Sequence, residues 1–214
     1  MKKFTLLTFS ICLVVMNISA QTIEVQGKAT ITDMDTMTDV SANVVRLSDG
    51  TLALRQYKSG DLAQGGIVFY VDESGEHGLA ADTVDLTVGT RWFAGTNGNT
   101  QARGNGPFAG EMNTAIIISS QVAIGDDGDD YAARLCADLQ KGGYGDWYLP
   151  SIDELNLMYT NLQLECLGGF AGSFYWSSTE VSSSGAFGKN FGNGSQASGA
   201  KNTNSVRVRP IRAF

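Results

Sequence analysis

The sequence predicts an α+β domain, mostly antiparallel sheet with two or three flanking helices and long loops. Three observations predict it. A strand–turn–strand pattern opens the glycine-rich part at Gly66–Ala81, a helix-start signal sits mid-chain at Ser151–Glu154, and strand-like alternation resumes from Phe174 to Arg209. Strands, then helices, then strands place the first and last strands to pair.

The elements follow in order. Residues 1–20 read as a secretory signal peptide: Lys2 and Lys3, an apolar run from Phe4 to Met16, then Asn17-Ile18-Ser19-Ala20. The run is short for a membrane span, so no transmembrane segment is expected in the mature chain. Residues 21–59 read as a β-rich stalk or linker. Its short runs are Thr22–Val25, Ala29–Ile31, Val44–Leu47 and Thr51–Leu54, with Ser48-Asp49-Gly50 as a hairpin turn. Residues 60–214 form the domain and hold 24 of the 26 glycines. Gly66–Val71 is a buried strand, Asp72–Gly75 its turn, and His77–Ala81 the return strand. Asn113-Thr114 is read as the cap of a short helix through Ile118. Asp129 or Asp130 is read as the cap of another, with Tyr131, Leu135 and Leu139 on one face and an end at Gly142-Gly143. Ser151 and Glu154 have capping-box spacing, ahead of a helix burying Ile152, Leu155, Met158 or Tyr159, and Leu162. Strands are expected at Phe174–Thr179, Ala186–Phe191 and Val206–Arg209, with Pro210 ending the last ladder or shifting its phase.

Composition narrows function. A single His and three Cys leave little room for zinc or haem, and no cofactor or metal is expected. An acidic chain, net −7, argues against nucleic acid. Removal of residues 1–20 would leave Cys136 and Cys166, which either pair, as an exported protein allows, or stand as unpaired structural thiols, the first a core residue on a helix and the second half-buried; nothing in the spacing demands a bridge. His77 follows a turn and no G-x-S-x-G elbow is present, so an enzyme is not expected. Asp126-Asp127-Gly128-Asp129-Asp130 lacks EF-hand spacing and reads as a solvated helix entry rather than a calcium loop.

The C-terminal stretch differs. Between Val181 and Ser205, nineteen of twenty-five residues are Ser, Gly, Ala, Asn or Thr. From Val181 to Phe214 there is no acid but five cations: Lys189, Lys201, Arg207, Arg209 and Arg212. This reads as a small, polar, positive surface on an acidic framework. Such composition suits adaptable binding loops. The candidate ligand-binding residues are Ser182, Ser183, Ser184, Phe187, Lys189, Asn190, Asn193, Ser195, Gln196, Ser198, Lys201, Asn202 and Asn204. Lys189 and Lys201 are expected to meet polar or anionic groups, Phe187 to stack, and the Ser and Asn side chains to hydrogen-bond. Trp147, Leu149, Leu155, Tyr175 and Trp176 are the expected core.

Four linked motifs carry a resemblance. They are Gly65–Asp72 with His77-Gly78-Leu79, Gly143–Ser151 with Asp153-Glu154-Leu155, Tyr175–Glu180, and Val208–Phe214. Together they resemble the C-terminal domain of the Lcl collagen-like adhesins, over about residues 60–214. The resemblance implies a C-type-lectin-like fold, surface exposure and, in the adhesin branch, homotrimers that bind sulfated polysaccharides. The lectin calcium triplet is absent, so calcium-dependent sugar binding does not carry over. A second resemblance is to proteins diversified by mutagenic retroelements, whose variable positions lie between a Trp-Ser-Ser strand and a Val-Arg-Pro-like end. It implies that residues 182–205 vary.

The expected function is a secreted or surface-displayed, non-enzymatic binding or adhesion domain that recognises a glycan or surface-protein ligand. The other reading is a structural module of a cell-surface or fibre assembly.

Overall fold

The computed structural model describes residues 44–46, 52–54 and 56–214. The expected signal peptide and most of the expected stalk lie outside the described residues. Strands β1 (Val44–Arg46) and β2 (Leu52–Leu54) pair antiparallel, with Val44 opposite Leu54. The turn expected at Ser48-Asp49-Gly50 lies outside the described residues.

Two further sheets build the α+β domain. One is four-stranded: β3 (Leu62–Ala63), β4 (Gly66–Val71), β5 (Gly78–Ala81) and β11 (Ile211–Ala213), in the order β11-β5-β4-β3. The opening hairpin and the last strand therefore pair, with Ile211 opposite Ala81. Gly66 permits this close approach, because a Cβ there would lie 2.1 Å from the Ala81 carbonyl oxygen. The other sheet contains β6 (Thr87–Thr90), β7 (Phe174–Ser182), β8 (Gly185–Asn190), β9 (Gln196–Ala200) and β10 (Val206–Val208), in the order β6-β10-β7-β8-β9. Pro210 falls where the chain leaves β10 and enters β11 of the other sheet, consistent with a residue that cannot extend a ladder.

Three α-helices lie between the strand groups. Helix α1 (Ala109–Ile124) starts earlier and runs longer than the sequence suggests. Asn113 and Thr114 do not cap it. They lie inside it, buried, and their side chains tie other segments down. Asn113 exchanges hydrogen bonds with the Gly104 backbone at 2.8 and 2.9 Å, and Thr114 Oγ1 accepts from Leu149 N at 3.0 Å. Helix α2 (Ala132–Ala137) begins after extended Tyr131, with no side-chain cap, so Asp129 and Asp130 do not serve. Helix α3 (Ile152–Met158) has the expected capping box and runs on into a π-helical turn, Tyr159–Gln163.

Glu154 does more than cap its own helix. Its carboxylate accepts from Ser151 N at 2.6 Å and, across space, from Phe108 N at 2.8 Å and Gly110 N at 3.1 Å at the start of α1. One buried acid thus satisfies orphan N–H groups of two helices. Burial pushes the Glu154 carboxyl up from its usual value against these donors. Ser151→Ala is expected to cost about 1 kcal/mol in chemical denaturation, the usual loss of a cap.

The core has two parts. Ile67, Phe69, Leu79, Tyr148, Leu155, Leu162, Tyr175 and Phe191 pack beneath the four-stranded sheet and α3. Trp92, Ile117, Cys136, Leu149, Trp176 and Val208 pack between the larger sheet, α1 and α2. Trp147, Leu149, Leu155, Tyr175 and Trp176 are all buried, as expected. Cys136 and Cys166 are both free. Cys136 is buried on α2, where desolvation raises its thiol pKa, while Cys166 is exposed rather than half-buried.

Candidate functional site

Four of the five cations of the last 34 residues are buried, and the fifth, Arg207, is half-buried. Lys201 is fully buried. Its ammonium donates to Glu180 at 2.6 Å and to the Gly98 carbonyl at 2.9 Å, and lies 4.5 Å from the Trp92 ring centroid. Glu180 also accepts from Thr100 N and Gln101 N. Burial pushes the Glu180 carboxyl up, but Lys201 and these N–H groups outweigh it and hold it below the usual range. Burial lowers the Lys201 pKa more than Glu180 raises it. Lys189 is 5% exposed, donates to Gly194 O at 2.9 Å and lies over the Tyr159 ring. Arg209 is buried against Asp85, Arg207 also meets Asp85, and Arg212 pairs with Asp146.

This corrects the sequence reading in two respects. Lys189 and Lys201 do not face a ligand, because each ammonium is desolvated and fixed by groups of this chain. The C-terminal stretch also does not form a positive surface: four of its cations pair with Asp85, Asp146 and Glu180, which all precede Val181.

The other expected site residues divide by exposure. Ser182, Ser183, Ser184, Asn193, Ser195, Gln196, Ser198, Asn202 and Asn204 are exposed. Phe187 and Asn190 are half-buried. Phe187 packs against the core under the sheet, and the Asn190 side chain accepts from Gly192 N in its own turn.

A groove of about 490 Å³ lies on the opposite face of the sheet from Phe187. Phe174, Trp176 and Val206 supply apolar surface; Ser173, Ser198, Thr203 and Ser205 supply polar groups. Strand register explains it. Trp176, Gly188 and Ala197 stand opposite one another on β7, β8 and β9, and successive side chains alternate faces. Small residues on β8 and β9 leave space beside the Trp176 indole. A Cβ at Gly199 would already lie 3.1 Å from Trp176 Cη2. The size and the mixture of apolar surface with a few polar groups suit a small ligand or a ligand's side chain. Of the expected site residues only Ser198 lines it. A run of Gly and Ala at alternate positions opposite a Trp was the available sequence signal.

The acidic loop is engaged by arginines. Arg91 pairs with Asp127 and Arg134 meets Asp126 at 3.4 Å. Arg91 holds the Asp127 carboxyl down at about 2. Among the described residues no group of three or more His, Cys, Asp or Glu is arranged to hold a metal ion. His77 is exposed beside its turn.

Comparison with known proteins adds a family and a fold neighbour. No curated protein matches. A solved structure, described as a fimbrial protein from Bacteroides ovatus ATCC 8483, superposes with a TM-score of 0.51 at 15% identity. The match covers 82% of this chain and 49% of that one, so the chain spans about half that protein's length and the likeness concerns fold. The model of the Lcl C-terminal domain matches residues 82–212, and the chain belongs to the Lcl C-terminal domain family.

Proposed function

We propose that this is an exported, surface-associated, non-enzymatic binding domain that takes an uncharged glycan or protein group in the groove over β7, β8 and β9. The observation that carries the reading is the groove itself, which sets the apolar surface of Phe174, Trp176 and Val206 beside Ser173, Ser198, Thr203 and Ser205. Burial of Lys189 and Lys201 inside the chain argues against sulfated polysaccharides. A C-type-lectin-like arrangement belongs to this reading and is supported by the pairing of β11 with the opening hairpin. The non-enzymatic character is supported by the engagement of Glu154 and Glu180 in backbone and ion-pair contacts.

The test is a glycan and surface-protein binding screen on the wild type and on Ala197→Trp with Thr203→Trp, which fill the groove. Binding is expected to fall at least tenfold, a loss of about 1.4 kcal/mol or more, with the melting temperature little changed. Undiminished binding by the filled variant would remove the groove from the reading.

A second reading is favoured by a different observation. The outer edge of β9 is unpaired among the described residues, and the fold neighbour is described as a fimbrial protein. On this reading the domain is a module of a surface fibre.

A further inference from the structure

Among the described residues strand β9 ends the five-stranded sheet, and its own residues carry none of the usual edge protection. Edge strands are normally blunted by charge, proline or a bulge. Gln196-Ala197-Ser198-Gly199-Ala200 has no charge and no proline, and its register with β8 runs without a shift. The hydrogen-bond phase is fixed at both ends. Asn190 N donates to Ser195 O and Lys201 N to Ser184 O, so the odd-numbered residues face β8. The N–H and C=O groups of Gln196 and Ser198, with the Ala200 N–H, therefore face away from the sheet. The Ala200 carbonyl is occupied by Thr203 N.

The sequence also carries a strand-like alternation in residues that lie outside the described ones. From Thr22 to Thr32, polar and apolar or small residues alternate without a break: Ile23, Val25, Gly27, Ala29 and Ile31 hold the odd positions. Thr22, Glu24, Gln26, Lys28, Thr30 and Thr32 hold the even ones. This is the signature of a half-buried strand. Five of its residues match the length of β9.

We propose that the outer edge of β9 accepts residues 22–32 of a second copy of this chain as an added strand. This proposal rests on the fibre reading and names its joint. Main-chain bonds to Gln196, Ser198 and Ala200 give affinity, and alternate side chains give register. Ile23 and Val25 would lie on the groove side, towards the apolar surface of Trp176, Phe174 and Val206. Glu24 and Lys28 would remain in water. Charge favours this face over others, because two net-acidic copies repel across their frameworks. Residues 182–205 contain no acid, and their two lysines are buried. A contact between different surfaces of identical copies is heterologous, so it closes into a ring or continues as a filament.

The test uses the exported chain and two variants, with mass read by sedimentation velocity. Ser198→Pro removes an outward N–H that no ladder bond uses, so the sheet is retained and the added strand is blocked. Ile23→Glu with Val25→Glu spoils the donor face and leaves β9 intact. The wild type is expected to show concentration-dependent mass beyond the monomer, and each variant alone to stay monomeric with an unchanged melting temperature. Mixed, the two variants are expected to form a one-to-one complex and nothing larger, because one supplies only an acceptor-dead donor and the other only a donor-dead acceptor. A wild-type assembly that survives Ser198→Pro overturns the strand assignment and leaves the fibre reading standing. A wild type that stays monomeric overturns both. Absence of the one-to-one complex in the mixture also overturns the assignment.

Discussion

Lys201→Met is expected to destabilise the domain by about 3–5 kcal/mol, the usual cost of removing one partner of a buried ion pair. Methionine nearly matches the lysine stem in volume, so the loss reports charge rather than a cavity. The Glu180 carboxylate would remain buried with only Thr100 and Gln101 as donors. The pH dependence identifies the cause. In the wild type the folded Glu180 pKa lies below its ordinary value, so its stabilisation is present above the unfolded pKa and is lost as pH falls through the folded one. Without Lys201 the carboxyl is desolvated and unpaired, and its folded pKa rises above the unfolded value. The variant then gains stability as pH falls through that raised value. The two stability curves should converge on acidification, as measured by urea unfolding across a pH series. A difference that stayed constant with pH would mean the lysine acts through packing alone.

The second large effect is expected at Arg209, where Arg209→Met should also cost about 3–5 kcal/mol. Its guanidinium donates to Asp85 at 2.8 Å and to the carbonyls of Asp82 and Gly168, each at 2.8 Å, and stacks 4.2 Å from the Phe170 ring centroid. The side chain therefore joins the β5–β6 connection to the loop after the π-helical turn. Asp85 would keep Arg207 and the Tyr175 hydroxyl. Lysine would restore charge but not the fork of donors, so Arg209→Lys should rescue only part of the loss. Thermal unfolding of the three proteins checks the order.

Much of the frame was legible in the sequence, and the reasons are local. The Gly66–Ala81 hairpin and the Ser151–Glu154 box each depend on neighbours within a few residues, so pattern alone finds them. Asn113 and Thr114 misled because a cap and a buried tertiary linker use the same polar side chains. Only the position of Gly104 and Leu149 decides between those roles. The C-terminal cations misled for a related reason. Their sign is visible in the sequence, but Asp85 lies 124 residues from Arg209 and Asp146 66 residues from Arg212. Composition shows a basic stretch; the fold turns that stretch inward. Strand β9 was hidden because small polar residues read equally well as a loop, and its place is set by pairing with β8.

The inward cations have a kinetic consequence. A face without exposed charge exerts almost no long-range pull on an approaching molecule. Association there would proceed by unsteered encounter, on the order of 10⁵–10⁶ M⁻¹s⁻¹ rather than the rates that charged surfaces reach. Residence time, set by contacts made after arrival, would then govern how tightly the domain holds what it meets.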